Sequence, residues 1–287
     1  MRRYLVLIGV VLTFVKSNAQ FDLARVDVVH IPKGSNQDFE FNRIRALFNI
    51  PVKIKEDTHL LFGIDYSIVD VIQIEKLEID TEPLRDFQSF ELNLGFTKKL
   101  KKNWRLAAVL KPGVTTNSVK NTAFFREVRI SGGLIFLKDE KETKKYSLLL
   151  GVVYNAFNGF SFPLPFVRYH RIINEHWSYK LGFPKTNLEY TFNNKHSLES
   201  YASIDGFNSN LVETVTVTNG VVEKFNARVL VAGLRYNFKI RKHLELYLAS
   251  GYIFTSTIRL RDNNADDLFE VNGDNAIYLR TGVRIKI

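Results

Sequence analysis

The amino-acid sequence predicts an all-β fold, a single antiparallel transmembrane β-barrel. The strongest observation is a pair of segments, residues 230–240 and 244–254, joined by a polar turn at residues 241–243. In both segments apolar side chains occupy every second position, which is typical of strands that place one face in lipid. Similar segments recur along the chain, and short connections between them alternate with long ones. These three observations together favour a barrel.

The first nineteen residues have the composition of a secretory signal peptide. Arg2 and Arg3 precede an apolar run over residues 4–15, and small residues lead to a cleavage site near Ala19-Gln20. The apolar run is too short to cross a bilayer as a helix. Removing the leader lowers the formal charge from +10 to +7, because it contains three basic residues and no acids. We therefore expect a signal peptide at residues 1–19 and one outer-membrane β-barrel domain at residues 20–287.

Direct counting gives about fourteen alternating segments in the barrel domain. In chain order they cover residues 21–31, 43–54, 60–68, 90–96, 104–110, 127–136, 146–154, 163–172, 177–183, 188–192, 197–204, 230–240, 244–254 and 277–287. The two segments within residues 177–192 are shorter than the roughly 9–11 residues that a spanning strand needs. If that hairpin does not span, the number of strands is 12. Either even number places both ends of the chain on one side of the membrane.

The connections predict the topology of the barrel in the membrane. Short ones cover residues 56–58, 98–103, 174–176, 193–196 and 241–243, and long ones cover residues 70–86, 111–124, 205–225 and 255–274. Outer-membrane barrels have short periplasmic turns and long outer loops. The residues 205–225 also contain a hairpin signal of their own, Asn219-Gly220 between valine-rich arms.

Aromatic side chains on the predicted outer face collect beside the short turns. Such a belt is expected where amphipathic rings lie at a membrane interface. The members are Phe96, Trp104, Phe136, Tyr146, Trp177, Phe192 and Phe238.

The predicted inner face of the strands carries charges of both signs. By alternation it includes Arg43, Arg45, Asp65, Glu91, Arg105, Glu127, Arg129, Lys180, Glu189, Glu199, Arg235, Glu245, Arg280 and Arg284. Ion pairs between these groups could fill the lumen. Alternatively, the lumen is a wet and mildly basic channel that favours small anionic or zwitterionic solutes. A barrel of this size lies between the filled small barrels and the open large ones, so size does not decide.

Closure of the barrel is expected to bring its first and last strands together. Arg43, Arg45, Arg280 and Arg284 should then share one sector of the wall. Four cations in one sector repel each other unless acids such as Asp27 neutralise them. We expect this neutralisation to be incomplete and the protein to form a small anion-preferring pore.

Two stretches of the sequence carry a family resemblance. Residues 162–192, FPLPFVRYHRIINEHWSYKLGFPKTNLEYTF, and the pieces ALFNIPVK and LLFGIDY within residues 41–66 resemble a family of Gram-negative outer-membrane β-barrel proteins of unknown function. The resemblance covers most of the mature chain and implies a barrel. It implies no activity and no functional residues. The chain ends in Ile287, where an aromatic residue is commonest in signals for outer-membrane insertion.

Catalytic and cofactor signals are weak. The sequence contains no G-x-S-x-G motif, no phosphate-binding glycine loop and no cysteine. Residues 262–267 match the first three ligand positions of a calcium loop but lack its glycine and its final glutamate, which favours an ordinary solvated loop. The six histidines lie mostly in or beside turns, at positions 30, 59, 170, 176, 196 and 243. We expect no metal, no cofactor and no nucleic-acid partner.

The sequence thus favours an integral protein of the Gram-negative outer membrane. Its expected partners are outer-membrane lipids, the outer-membrane insertion machinery and small anionic or zwitterionic solutes. The expected function is that of a porin-like channel or solute-binding barrel. The alternatives are a structural or surface-interaction barrel with a filled lumen and, less favoured, an outer-membrane hydrolase, since barrel catalytic sites are assembled across strands and leave no local motif.

Overall fold

The computed structural model describes residues 22–33, 39–72, 82–118, 128–155, 162–217, 219–273 and 275–286. They form one antiparallel sheet that closes into a 14-stranded barrel. Its segments are β1 (Asp22–Ile31), β2 (Glu40–Lys55), β3 (Thr58–Ile72), β4 (Asp86–Lys99), β5 (Trp104–Thr116), β6 (Arg129–Glu140), β7 (Tyr146–Tyr154), β8 (Leu164–Ile172), β9 (Trp177–Phe183), β10 (Lys185–Thr191), β11 (His196–Val217), β12 (Gly220–Lys239), β13 (Leu244–Arg261), β14 (Asp267–Gly273) and β15 (Ala276–Lys286).

Each strand pairs with its neighbours in the sequence, and the barrel closes between β1 and β15. The segments β14 and β15 both pair with β13, one beyond the other along it, so they count as a single barrel strand. The predicted fold class and the direct count of fourteen are therefore confirmed. The short segments β9 and β10 are members of the barrel wall, paired with β8 and β11. The alternative count of twelve strands is wrong for this reason.

Alternation along the strands separates an outer apolar face from an inner face. Leu234 on β12 and Leu248 on β13 point outward and are 53% and 59% exposed. Tyr247 and Ala249, on either side of Leu248, are buried. A band of exposed aliphatic and aromatic side chains on a closed sheet is the surface that lipid requires, because no strand edge is left unpaired there.

The two ends of the barrel differ in their connections. One end, here called the short-turn end, carries turns at residues 56–57, 100–103, 141–145, 173–176, 192–195 and 240–243. The turn at residues 141–145 contains a single helical turn, Lys141–Lys144. The opposite end, here called the long-loop end, carries the longest connections, over residues 73–85 and 117–128, and also the single-residue connection Pro184 between β9 and β10. Both described ends of the chain lie at the short-turn end.

Two of the expected outer loops are strands over most of their length. Most of residues 205–225 form the outer halves of β11 and β12, which pair up to Val217 and Gly220. The residues 255–274 form the end of β13 and all of β14. The loop prediction is wrong here because pairing of valine-rich arms extends the sheet beyond the lipid-facing band. Lys111 and Asp205, which we expected in loops, consequently lie on strands.

The outer halves of these strands pack over the lumen at the long-loop end. Phe207 on β11 and Phe225 on β12 contact Phe87 on β4, with ring centroids 5.3 and 5.1 Å apart. Phe41 on β2 lies 6.4 Å from Phe207. Together with buried aliphatic residues such as Val29, these rings form a cluster here called the apolar core. Strands from opposite sides of the barrel therefore meet inside its long-loop end.

Some predictions lie outside the described residues. These are the signal peptide, Glu127 and most of the connection at residues 70–86. Within the described part of the chain, no helix has the length and apolar character needed to cross a membrane.

Candidate functional site

Below the apolar core, the lumen contains a layer of ion pairs, here called the ionic layer. Asp27 on β1 is fully buried between two arginines, Arg25 at 2.9 Å and Arg280 at 2.9 Å. Arg43 on β2 reaches Asp205 on β11 through two hydrogen bonds of 2.8 and 3.3 Å. This ion pair links β2 to β11 across the lumen and so holds two distant parts of the inner face together.

The ionic layer continues toward the short-turn end through shared carboxylates. Arg45 donates to Asp65 at 2.8 Å, and Asp65 also lies 3.7 Å from Lys111. The Lys111 ammonium is 2.9 Å from Glu91. Each cation in this group therefore has an acid partner.

A second group in the ionic layer surrounds a tyrosine. Glu245 accepts hydrogen bonds from Arg284 at 2.8 Å and from Lys286 at 2.9 Å. The ring of Tyr247 lies under the guanidinium groups of Arg284 and Arg235, at 5.2 and 5.0 Å from its centroid. Such cation–π contacts stabilise arginine side chains that have left bulk water.

The four arginines near the closure of the barrel do share one sector. Arg43 and Arg280 lie in one row of the sheet on either side of Val29. Each of the four, however, has a carboxylate within 2.9 Å. The expectation of incomplete neutralisation in this sector is therefore wrong, because Asp27, Asp65, Asp205 and Glu245 supply the charge.

The short-turn end of the lumen contains a cavity of about 510 Å³. Strands β3 to β7 contribute an apolar patch, here called the apolar wall, together with the polar residues His59, Thr97, Arg105, Asp139 and Ser147 nearer the short-turn end. The members of the apolar wall are Leu61, Ala107, Val109, Ile135, Leu137 and Leu149. The other wall, here called the charged wall, comes mainly from β8 to β15 and includes Lys180, Lys185, Glu199, Arg235, Arg284 and Lys286.

Two arginines of the cavity differ from those of the ionic layer. Arg105 on β5 pairs in register with Leu137, which pairs with Leu149, which pairs with Arg168 on β8. In the described chain, no carboxylate lies within 4 Å of either guanidinium, and Arg168 is exposed within the lumen. The cavity therefore presents two cations without acid partners on either side of a leucine pair.

The lysines of the charged wall are held by acids. Lys180 lies 3.6 Å from Glu189, and Lys185 forms an ion pair with Glu199. Glu199 also lies 3.9 Å from Arg235. The five basic residues of this wall, Lys180, Lys185, Arg235, Arg284 and Lys286, share three carboxylates, those of Glu189, Glu199 and Glu245.

The last charged position expected on the inner face has a backbone partner. Arg129 on β6 donates to the carbonyl oxygen of Asn208 on β11 at 2.8 Å. A side chain of β6 thus reaches β11 across the lumen.

The expected aromatic residues lie near the short-turn end, and five of them, Trp104, Tyr146, Trp177, Phe192 and Phe238, have aromatic or cationic neighbours. Trp177 contacts Tyr190 at 4.8 Å, and Lys138 lies over the ring of Trp104 at 5.6 Å. Exposed members include Phe136 and Phe192. The remaining contacts of this belt are Tyr146 with Tyr169, Tyr190 with Phe192, and Phe238 with His196.

Histidines and acids give no sign of a metal centre. His176 and His243 contact backbone carbonyl oxygens at 2.8 and 2.9 Å, beside short turns. In the acidic turn at residues 262–267, Asp262 accepts a hydrogen bond from the backbone N–H of Asp266 and so closes the turn itself. Among the residues that the structure describes, no group of three or more potential ligands could hold a metal ion.

Several solved structures are similar to this chain at low sequence identity. An outer-membrane channel of the COG4313 group from Pseudomonas putida F1 is 12% identical, covers 95% of this chain and 100% of its own, and gives a TM-score of 0.45. The toluene transporter TodX of P. putida is 11% identical over 96% of this chain and 91% of its own, with a TM-score of 0.40. The KdgM porin in complex with disordered oligogalacturonate is 11% identical over 92% and 99%, with a TM-score of 0.38.

Among curated proteins, the chain matches none. A family model described as Domain of unknown function (DUF6268) matches residues 33–286, which is nearly the whole barrel. The protein, a β-barrel with an apolar core at one end and a half-apolar cavity at the other, belongs to the DUF6268 family.

Proposed function

We propose that this protein is an outer-membrane barrel that binds small anionic solutes in the cavity at its short-turn end. The observation that carries the proposal is the pair Arg105 and Arg168, which line the cavity without acid partners in the described chain. The arginines of the ionic layer, in contrast, are each held by a carboxylate. The proposal includes no catalytic step.

Electrostatics supports an anion as the solute. A guanidinium group remains charged and offers several N–H donors in a planar arrangement that suits carboxylates and phosphates. Two such groups in a confined space with a low-dielectric wall raise the local concentration of anions. The charged wall opposite carries more basic than acidic groups and therefore adds to this effect.

The position of the cavity suggests the side from which solute enters. Short turns of outer-membrane barrels face the periplasm. With that orientation the cavity opens toward the periplasm, and the apolar core lies at the cell surface. We propose outer-membrane lipids as the partners of the exposed apolar band, and the insertion machinery as a partner during biogenesis.

Charge preference is tested by comparing two ligands of the same shape. We expect 2-naphthoate to bind the protein in lipid nanodiscs at least about tenfold more tightly than neutral 2-naphthamide, as measured by titration calorimetry. Arg105→Gln with Arg168→Gln should remove most of this difference. The matched control is Arg171→Gln, because Arg171 lies on the same strand as Arg168 but is exposed and bonds to the backbone oxygen of Lys144.

Equal affinity for the acid and the amide, unchanged in the double variant, would overturn the proposal. The better account would then be a structural barrel, which the ion pairs and the apolar core in the rest of the lumen favour.

A further inference from the structure

We infer that the solute is an amphiphilic anion, an acid whose body is apolar over about the size of a fused aromatic ring pair or a medium-length alkyl chain. The inference rests on the proposed function for the anionic group. The apolar body of the solute is inferred from the apolar wall, which lies opposite the charged wall of the cavity.

The first step is the continuity of the apolar wall. Neighbouring strands place Ala107 beside Ile135, and Leu137 beside Leu149. Val109 follows Ala107 on the same face of β5, and all of these residues line the cavity. The apolar side chains thus form one contiguous patch, which is bordered toward the short-turn end by polar cavity residues of the same strands, His59, Thr97, Arg105, Asp139 and Ser147.

The second step is that such a surface is unusual on the inner face of a barrel strand. In a transmembrane barrel strand, polar residues that face the lumen normally alternate with apolar residues that face the lipid. In β6 the run Leu134-Ile135-Phe136-Leu137 is apolar on both faces, and in β7 the run 148–150 is three leucines. Inward leucine in contact with cavity water is unfavourable unless an apolar group covers it. A ligand with an apolar body provides that cover.

The third step concerns what the wall excludes. A polyhydroxylated acid has hydroxyl groups on all sides, and those facing the apolar wall would lose their hydrogen bonds to water without replacement. The apolar wall therefore discriminates against sugar acids even though the arginines attract their charge. An acid with an apolar body has no such loss.

The register-paired row of Arg105, Leu137, Leu149 and Arg168 fits a ligand that has a charged head group at one end of an apolar body. Arg105 and Arg168 are three strand spacings apart, about 14 Å along the wall, with Leu137 and Leu149 between them. A carboxylate on either arginine places the adjoining body over the leucines. The volume of about 510 Å³ lies within the usual range for ligand pockets.

The test compares two acids of equal charge, 2-naphthoate and gluconate, by titration calorimetry on the full mature protein in nanodiscs. We expect naphthoate to bind at least about tenfold more tightly than gluconate. Leu137→Asn and Leu149→Asn should each weaken naphthoate binding about tenfold and leave gluconate unchanged. Leu47→Asn serves as the control, because Leu47 faces inward on β2 but does not line the cavity.

The outcomes separate this inference from the proposed function. If gluconate binds as tightly as naphthoate and the leucine variants have no effect, while the arginine variants weaken both, the anion site stands and the amphiphilic ligand is refuted. If no acid is preferred over the neutral amide, both fail. Heat-modifiable migration on gels identifies any variant that does not fold, and for such a position Leu→Ala replaces Leu→Asn in the same measurement.

Discussion

Single carboxylates hold much of the ionic layer together, because several of them serve two cations. Asp27 lies between Arg25 and Arg280, and Glu245 lies between Arg284 and Lys286. Removing Asp27 takes away the carboxylate that pairs with Arg280 in the interior of the barrel, whereas Arg25 keeps a second partner, Asp22, at 3.1 Å. The loss of a buried partner is costly because the remaining charges cannot be rehydrated.

We therefore predict that Asp27→Asn lowers the free energy of unfolding by about 3–5 kcal/mol. The side chain is isosteric, so the change removes charge and little packing. Urea denaturation of protein in lipid vesicles, followed by heat-modifiable migration, measures the effect. The matched control is Asp266→Asn in the acidic turn at residues 262–267, where the side chain is exposed and little change is expected. A similar small effect at both positions would show that the ionic layer contributes little to stability.

A second residue-scale prediction concerns which side of a strand faces lipid. Leu150 on β7 is exposed on the outer face, while its neighbour Leu149 lines the cavity. Leu150→Arg should destabilise the protein by about 2–4 kcal/mol because the guanidinium enters hydrocarbon near the middle of the strand. Leu149→Arg places the same group in the cavity and should cost less. Equal losses for the two variants in urea denaturation would contradict the assigned facing.

Leu149 is the inward position in this comparison because other inward positions are too tightly packed to accept arginine. Gly233 also points inward, but a Cβ atom there would lie 2.1 Å from the carbonyl oxygen of Ser250. Ala249 is buried against its neighbours. Arginine at either position would destabilise the protein for lack of space. Its effect would therefore not show whether the position faces lipid.

At the scale of elements, the side chain of Asn117 is one of the groups that hold the outer half of β11 across the lumen. The Asn117 amide donates to the carbonyl oxygens of Pro83 and Glu213 at 2.8 and 2.7 Å. It also accepts from the backbone N–H of Val212 at 2.8 Å. Asn117 thus connects the end of β5, the turn Glu82–Leu84 and β11.

We predict that Asn117→Ala accelerates hydrogen exchange of the backbone amides in the outer half of β11, including Val212. Loss of these bonds lets the strand end open locally while the barrel stays folded. Mass spectrometry of exchanged peptides measures the effect. Asn193→Ala at the short-turn end is the control, since Asn193 accepts bonds from Lys195 and His196 and should affect only that turn. Unchanged exchange in β11 would mean that the apolar core alone holds it.

The sequence predicted the strands that cross the lipid but not those that extend beyond it. Alternation in β13 is strict because one face meets hydrocarbon, and a shift by one residue would reverse it. Outside the lipid both faces tolerate polar residues, so the pattern in β11 weakens after Asp205 and was interpreted as a loop. The Asn219-Gly220 signal was correct but indicated the end of two long strands.

At the scale of the whole molecule, both tryptophans lie near the short-turn end, with Trp104 at the start of β5 and Trp177 at the start of β9. We predict that lipids brominated near the headgroup quench their fluorescence more strongly than lipids brominated near the chain ends, because indole rings prefer the interface. Trp104→Phe and Trp177→Phe, made singly, assign the signal. Stronger quenching by deep bromines at both positions would contradict the placement of the barrel in the membrane.

The candidate site was only partly predictable because its charge depends on how strands from the whole barrel are brought together. Alternation identified Arg105 as an inward residue, but the sequence does not show whether an acid lies within reach. That depends on the register between strands, as the pair of Arg43 and Asp205 illustrates. Arg168 was missed because the proline-rich β8 has no clear alternation. The apolar wall was missed because runs apolar on both faces were assigned only to lipid.

The most direct measurement for the central claim is a crystal structure of the protein with 6-bromo-2-naphthoate, using anomalous scattering to locate the bromine. The account predicts a bromine peak beside Leu137 and Leu149, with the carboxylate on Arg105 or Arg168. A bromine peak confined to the outer surface of the barrel, with none in the cavity at saturating ligand, would contradict it.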